Sequence, residues 1–275
     1  MELTGEQLKE AEIVLKRDLP QSLMLYGCLV QINKTHLSQR SPVTVLVDKW
    51  PEFSFIMCVP QVNQGSIKQA CAFAKDAVVL EETIRKQSFV HLSSDLVIGT
   101  SLHHSDIFRT VGLERNLSII SHQNALCRMM ILEDVSHLPS IDSSGISLNS
   151  LDESHVALVN QKWKFSENNK SIETIRKMLT RFPSLCVLDA EGKPVSWILV
   201  YMTCAIGMLY TVPEHRRKGY AKALISATAK WLHTEGYPVY CFIEEENEIS
   251  YKLFKDMGFV ETPAFRVAWL RFSDA

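Results

Sequence analysis

VSWILVYMTCAIGMLYTVPEHRRKGYAK, residues 195–222, carries no charge from Val195 to Val212 and then crowds Arg216, Arg217, Lys218 and Lys222 together. The uncharged part approaches the lower length of a membrane span. Ser196, Tyr201, Thr203, Gly207, Tyr210 and Thr211 interrupt it, however, and strand formers dominate it. It reads as two buried strands joined by a tight turn near Met202–Ala205, not as a span. The cations lie in a loop, Pro213–Lys218, that feeds a helix, Gly219–Glu235, with Leu224, Ile225, Thr228, Trp231 and Leu232 on its inner face. The N-terminus of a helix is the positive end of its dipole, so each cation there costs about 0.3–1 kcal/mol. Free N–H groups point the same way. A docked anion reverses that balance. Gly219 admits close backbone approach, Ala221 keeps the next position small, and a pyrophosphate has the matching charge. The competing reading is a solvated basic loop, and the strand–loop–helix context favours the anion site. The loop is neither a GxxxxGK[ST] nor a GxGxxG phosphate motif.

Outward from this segment, the chain divides into residues 1–140 and 141–275, because Ser136–Asn149 is Ser-rich with Pro139 and Gly145. In the second part, Ser150-Leu-Asp-Glu153 reads as a capping box opening a helix to about Trp163. A second helix spans about Ser171–Phe182, stopped by Pro183. Then come a strand, Leu185–Asp189, the two strands already described, the Gly219–Glu235 helix, a strand at Pro238–Ile243, a helix at Asn247–Met257 and a final strand, Phe265–Phe272. The order α-α-β-β-β-α-β-α-β specifies an α/β layer sandwich with a largely antiparallel sheet. In the first part, Thr4-Gly-Glu-Gln7 caps a helix over about residues 4–17. Strands are expected near Leu23–Ile32, Thr44–Trp50 and Phe53–Val59, a helix near Val78–Lys86, and helical pieces within 91–125.

Composition narrows function. A chain of 275 residues with net charge −2 lacks the cation excess of a dedicated nucleic-acid binder. Apolar residues at 46% against 22% charged are ordinary for a soluble globular protein, and 11 Gly with 10 Pro, free of collagen-like or low-complexity bias, exclude wholesale disorder. The cysteines at 28, 58, 71, 127, 186, 204 and 241 form no CxxC and are odd in number, so they read as small buried hydrophobes. His103-His104 lacks ligand partners at metal spacing, and no metal site is expected. The N-terminal segment is too acidic for a transit peptide and has no apolar signal core.

Arg216-x-x-Gly219-x-Ala221 after Leu-Tyr-Thr-Val-Pro resembles motif A of the GNAT acyltransferase superfamily. Further blocks extend the likeness: Ser22-Leu-x-x-Tyr26-Gly27, Val47-Asp-Lys-Trp-Pro-Glu-Phe53, His155-x-x-Leu-Val-Asn160, Phe182-Pro183, Glu191-Gly-x-Pro-Val-Ser-Trp197 and Thr211-Val-Pro-Glu-His-Arg-Arg-Lys-Gly-Tyr220. Together they are similar to the glycine N-acyltransferase-like family. The resemblance implies a family-specific N-terminal domain, itself like a degenerate GNAT unit, before a C-terminal GNAT domain. It implies transfer of an acyl group from acyl-CoA, a cosubstrate, to the amine of glycine or a related amino acid. Tyr210, Val212, Arg217, Lys218, Gly219, Tyr220, Ala221, Lys222, Asn247 and Tyr251 are the implied CoA-binding residues. Pantetheine would pair with the splayed strand. Backbone amides near Tyr210–Val212 would hold the oxyanion. Glu248 takes the family's place for the catalytic base, with a helix-dipole role as the structural alternative. The Tyr acid of many GNAT enzymes falls on Phe254, which leaves Tyr251 as the fallback. Val200-Tyr201-Met202 replaces the family's acidic or amide pair. Two other readings stay open: a protein or polyamine N-acetyltransferase drawn by Glu244–Glu246, and an inactive CoA-binding module. Arg266 or Arg271 are candidates for an acceptor carboxylate. The resemblance implies mitochondria; the N-terminus leaves the cytoplasm open.

Overall fold

The computed structural model describes residues 1–35, 43–61, 67–86, 92–94, 96–120, 125–142, 144–166 and 168–274. The chain forms two compact units, Met1–Arg128 with Pro263–Ala275, and Met129–Thr262. The division at 140/141 expected from sequence is linear and has no counterpart for the return of the tail. The first unit contains α1 (Gly5–Lys16), α2 (Leu23–Lys34), β1 (Val43–Val47), β2 (Phe55–Pro60), β3 (Lys68–Ala74), α3 (Ala77–Arg85), β4 (Leu96–Ser101), α4 (Leu102–Glu114) and β5 (Leu117–Ile119). Strand β6 (Ala125–Ile131) leads out of it. The second unit contains β7 (Leu148–Asn149), α5 (Val156–Lys162), α6 (Ile172–Arg181), β8 (Leu185–Leu188), β9 (Pro194–Val200), β10 (Ile206–Thr211), α7 (Tyr220–Thr234), β11 (Tyr240–Glu244) and α8 (Glu248–Asp256). Strand β12 (Val260–Asp274) begins there and returns to the first unit.

In the first unit the strand order is β1-β2-β3-β4-β12. The β1–β2 and β2–β3 pairs are antiparallel, β3–β4 is parallel, and β4–β12 is antiparallel with Trp269 opposite Gly99. Phe55, Met57, Ala70 and Ala72 pack with Leu80 and Ile84 of α3, Phe108 and Val111 of α4, and Leu270 and Phe272 of β12. Cys58 and Cys71 alternate with Met57 and Ala72 and so occupy the other sheet face. There the Sγ of Cys28 on α2 lies 3.5 Å from that of Cys71. Hydrogen bonds from the Cys58 and Cys71 thiols draw the Cys28 thiol down to about 5, whereas the contact with Cys28 and burial push the other two up. All seven cysteines are buried and unbridged, as read from their apolar surroundings.

The capping box at Thr4 and Gln7 forms as the sequence predicts. The strand expected at Leu23–Ile32 does not: the segment is helix α2. From Leu23 to Ile32 the segment is apolar apart from Gln31 and almost wholly buried, so periodicity does not separate a buried helix from a buried strand, and its length favours helix. Strands β3 and β4 were not anticipated; of the region expected to contain helical pieces, α4 is helix, and β4 and β5 flank it. His103-His104 opens α4, where the Ser101 hydroxyl meets His104 Nδ1 at 2.9 Å.

From α5 to α8 the second unit follows the element order read from sequence; the short β7 ahead of it was not expected, and the final strand expected at Phe265–Phe272 falls in the first unit as part of β12. The second unit's strands are ordered β11-β10-β9-β8-β7. Every residue of β9 is buried, as a strand covered on both faces requires. One face meets α5 and α6 through Leu151, Val156, Val159, Ile175, Met178, Trp197 and Leu199. Helix α7 buries Ala223, Leu224, Ile225, Thr228, Ala229 and Leu232, the inner face expected apart from Trp231. The capping box before α5 is formed by Asp152 and His155 around a 3-10 turn, rather than by Ser150 and Glu153. Asp152 wins because its carboxylate accepts the Ser154 N–H at 2.9 Å. The uncharged stretch is β9, a turn, and β10, and among the described residues no helix is long and apolar enough to cross a membrane.

Candidate active site

Strand β10 pairs antiparallel with β9, with Tyr210 opposite Trp197 and Thr211 opposite Ser196. Its register shifts between Gly207 and Tyr210, where Met208 has φ 49°. A bulge bends the strand that carries it. On its other side β10 pairs parallel with β11 at Ile206↔Cys241, and no register partners follow along Gly207–Thr211. Two parallel neighbours thus pair at their start and separate toward their C-terminal ends. Loops beyond the carboxyl ends of strands are where α/β proteins bind ligands. Here those loops lead into α7 and α8.

The loop into α7 begins with a 3-10 turn, Pro213–His215. Arg217 has φ 62° and Gly219 has φ 82° with ψ −9°. Left-handed residues interspersed in a turn gather successive N–H groups into an anion-binding nest. Ala223 N–H makes the first helical bond, to Gly219 O at 3.1 Å. Among the described residues, the N–H groups of Arg217, Lys218, Gly219, Tyr220, Ala221 and Lys222 find no acceptor. Arg217, Lys218 and Lys222 are exposed and have no ion-pair partner among the described residues. A Cβ on Gly219 would meet only Ile146 Cδ1 at 3.8 Å, so the glycine answers a backbone requirement rather than crowding. Arg216, also exposed, donates through Nε to Thr211 O at 3.2 Å. It braces the loop while its neighbours stay open.

The amides on β10 refine the expected oxyanion donor. Val212 N–H donates to Val195 O at 2.9 Å, and Tyr210 O accepts the Ser196 hydroxyl at 3.1 Å. Alternation along an antiparallel pair turns the Thr211 amide away from β9, toward the unpaired side. Thr211, not Val212, therefore carries the available N–H. The Tyr210 ring packs against Trp197 at 5.0 Å. Gly207 is obligatory for another reason: a Cβ there would lie 2.2 Å from the Tyr201 ring.

At the carboxyl end of β11, Asn247 caps α8 by accepting the Ser250 N–H at 3.1 Å through Oδ1. Its Nδ2 is not used in that cap. Glu248, the first residue of α8, is exposed. The Tyr251 hydroxyl donates to Glu261 Oε2 at 2.9 Å. Phe254 is buried edge-on against Phe259, so the position of the usual Tyr acid holds core. Lys164, which sequence reading did not single out, bonds Glu244 and lies 3.4 Å from Glu246. The Glu244 hydrogen bond pushes the Lys164 ammonium above its ordinary range. The acidic run is thereby partly neutralised from within. Arg266 spends Nη1 on Pro263 O and Phe265 O at 3.1 and 3.0 Å, and Arg271 is buried in the first unit. Neither is oriented by these contacts as a receptor for an acceptor carboxylate.

Comparison with known proteins agrees in both sequence and fold. The family model for aralkyl acyl-CoA:amino acid N-acyltransferase matches residues 3–183, and that for its C-terminal region matches residues 185–272. A Bos taurus glycine N-acyltransferase is 28% identical over 290 residues, covering 96% of each chain. A solved Drosophila protein superposes with a TM-score of 0.80 at 15% identity, over 98% of this chain and 97% of its own. A GCN5-related N-acetyltransferase-like protein from Streptococcus suis superposes with a TM-score of 0.53 at 14% identity, over 98% of this chain and 100% of its own. With its GNAT-type layering, a splayed strand pair and family matches that cover nearly all of its length, the chain belongs to the aralkyl acyl-CoA:amino acid N-acyltransferase family.

Proposed function

We propose that the chain transfers an acyl group from acyl-CoA to the amine of glycine, releasing N-acylglycine and CoA. The observation that carries this reading is the opening between β10 and β11, with unsatisfied N–H groups and unpaired cations on the loop beyond it. The pyrophosphate of CoA binds the amides from Arg217 to Lys222 and the charges of Arg217, Lys218 and Lys222. Pantetheine lies along the unpaired side of β10, as an added strand would. Asn247 Nδ2 is the side-chain donor offered to its amides.

The chemistry then requires a neutral amine. Glu248 takes a proton from the glycine ammonium, directly or through water. The amine nitrogen attacks the thioester carbonyl carbon, and the carbonyl oxygen gains the negative charge. The Thr211 N–H stabilises that oxyanion. Collapse breaks the C–S bond and expels the CoA thiolate. Tyr251 is already donating to Glu261, so the thiolate leaves without an obligatory protein acid.

Glycine as acceptor is supported by the name of the bovine relative and by Lys164, whose ion pairs weaken Glu244–Glu246 as an attractor for a cationic protein or polyamine. A free-thiol release assay tests the reading with several acyl-CoAs against glycine, glutamine and a lysine peptide. Thiol release with glycine is expected. Release with lysine peptide alone refutes the acceptor, and no release with any acceptor refutes catalysis. Mitochondrial residence is part of the same proposal, and cell fractionation checks it.

A further inference from the structure

The Sγ atoms of Cys28 on α2, Cys58 on β2 and Cys71 on β3 all lie within 4.8 Å of one another, and the Cys28–Cys71 edge is 3.5 Å. All three residues are buried, at 3%, 2% and 3% exposure. Cys58 and Cys71 are directly opposite on the antiparallel pair, and α2 supplies the third corner. A cation at the centre of three sulfurs, with bonds of about 2.3 Å, requires sulfurs about 4.0 Å apart in a planar arrangement. The Cys28–Cys71 edge is shorter than that value and no edge exceeds 4.8 Å. Among the described residues, no histidine, carboxylate or further cysteine joins the group. Four-coordinate zinc sites draw on four such ligands, whereas soft d10 cations such as Cu(I) accept fewer, all sulfur.

A second observation points the same way. Gln31, one turn beyond Cys28 on α2, is fully buried, and neither its Oε1 nor its Nε2 has a partner among the described residues. An unpaired buried amide is costly. Residues three apart share a helix face, so Gln31 lies on the Cys28 side of α2, and hydrogen-bonding groups beside the ligands tune a metal site.

We infer that Cys28, Cys58 and Cys71 form a three-thiolate site for a soft d10 cation, Cu(I) foremost, which ties α2 to the β2–β3 pair. Binding exchanges thiol protons for the metal and changes no oxidation state. The site belongs to the first unit and is independent of acyl transfer.

The test uses the reduced full-length chain without oxygen. Cu(I) is offered from a chromophoric chelator, and Zn(II) from a zinc indicator in a parallel arm. The expected result is uptake of one ion per chain, a thiolate-to-metal absorption band, and three sulfur neighbours in the X-ray absorption spectrum. Preference for Cu(I) identifies the three-coordinate ion; uptake of Zn(II) with the same three sulfurs supports the site with a different occupant. C28A, C58A and C71A should each weaken binding about tenfold or more, while C186A, in the second unit, should not. Failure of the folded wild type to take either ion overturns the proposal. So does retention of the ion by the triple variant, or a nitrogen and oxygen shell in the spectrum. Should the variants fail to fold, the wild-type spectrum alone decides.

Discussion

Replacing Gly219 with glutamate separates anion binding from folding. Gly219 sits at φ 82°, so a side chain there costs about 1–2 kcal/mol of backbone strain. No steric term adds to this, because the nearest atom to a new Cβ is Ile146 Cδ1 at 3.8 Å. A carboxylate at a helix N-terminus returns about 0.3–1 kcal/mol. The folded protein should therefore lose only about 0–2 kcal/mol, a shift of a few degrees in Tm. The ligand meets a larger effect. A carboxylate about 4 Å from one phosphate charge costs roughly 4 kcal/mol at an effective dielectric of 20. That is about a thousandfold in Kd. Calorimetric titration with CoA, beside thermal melts of the free protein, measures both. G219A supplies the control, with the strain but not the charge, and should weaken CoA less than tenfold. High salt should narrow the gap between the two variants. A folded G219E that binds CoA within tenfold of wild type would refute the loop as the pyrophosphate site.

Four other outcomes are expected. E248Q should lower kcat by about 10²–10⁴ with acyl-CoA affinity nearly intact and partial rescue at alkaline pH; wild-type turnover removes Glu248 from the mechanism. Y251F should keep kcat within a few-fold, since the hydroxyl already serves Glu261, and a hundredfold loss in steady-state assays would make Tyr251 the acid. G258A should destabilise by about 2–5 kcal/mol in denaturant unfolding, because φ is 86° and the new Cβ would lie 2.6 Å from His137 O. Hydrogen bonds from the Ser154 hydroxyl and N–H hold Asp152 below its ordinary 3.8. A depressed carboxylate stabilises the fold above its unfolded value, so the Tm gap between wild type and D152A should be present at neutral pH and close as acid passes through the folded pKa.

The second unit was legible in the sequence because its signals are local. Pro183, Gly192, Gly236 and Gly258 punctuate it, and the amphipathic faces of α6 and α7 have helical spacing. The first unit was harder. Helix α2 has no polar face to give it a period, and β4 depends on β3 and β12, which lie far along the chain. The return of β12 is likewise a long-range pairing without a local mark. At the site, the cation cluster and Gly219 could be read directly, since they contradict the preference of a helix start. The Thr211 amide could have been found by counting alternation back from the loop, had the β9–β10 register been known. Lys164 could not, because it reaches Glu244 from a distant turn. The thiol triangle was invisible for the same reason: spacings of 28, 58 and 71 acquire meaning only when α2 lies on the β2–β3 pair.

Two separate departures from regular structure meet at one end of the second unit's sheet. The bulge around Met208 leaves the later part of β10 unpaired with β11, which exposes main-chain donors and acceptors along an edge. An exposed edge is a liability unless something adds to it. The loop after it leaves amides from Arg217 to Lys222 unsatisfied and places cations against a positive helix end. That too is unfavourable in isolation. A single ligand resolves both, provided it has an extended amide-bearing arm joined to a pyrophosphate, and CoA has both parts in that order. Neither feature explains the other, and a fold selected only for stability would keep neither. The acceptor side shows no comparable pair of constraints: Glu248 is exposed, and Arg266 is held by its own strand. Selectivity among acyl-CoA donors should therefore tolerate mutation of the acceptor side, whereas loss of either the bulge or the loop should remove all donors alike.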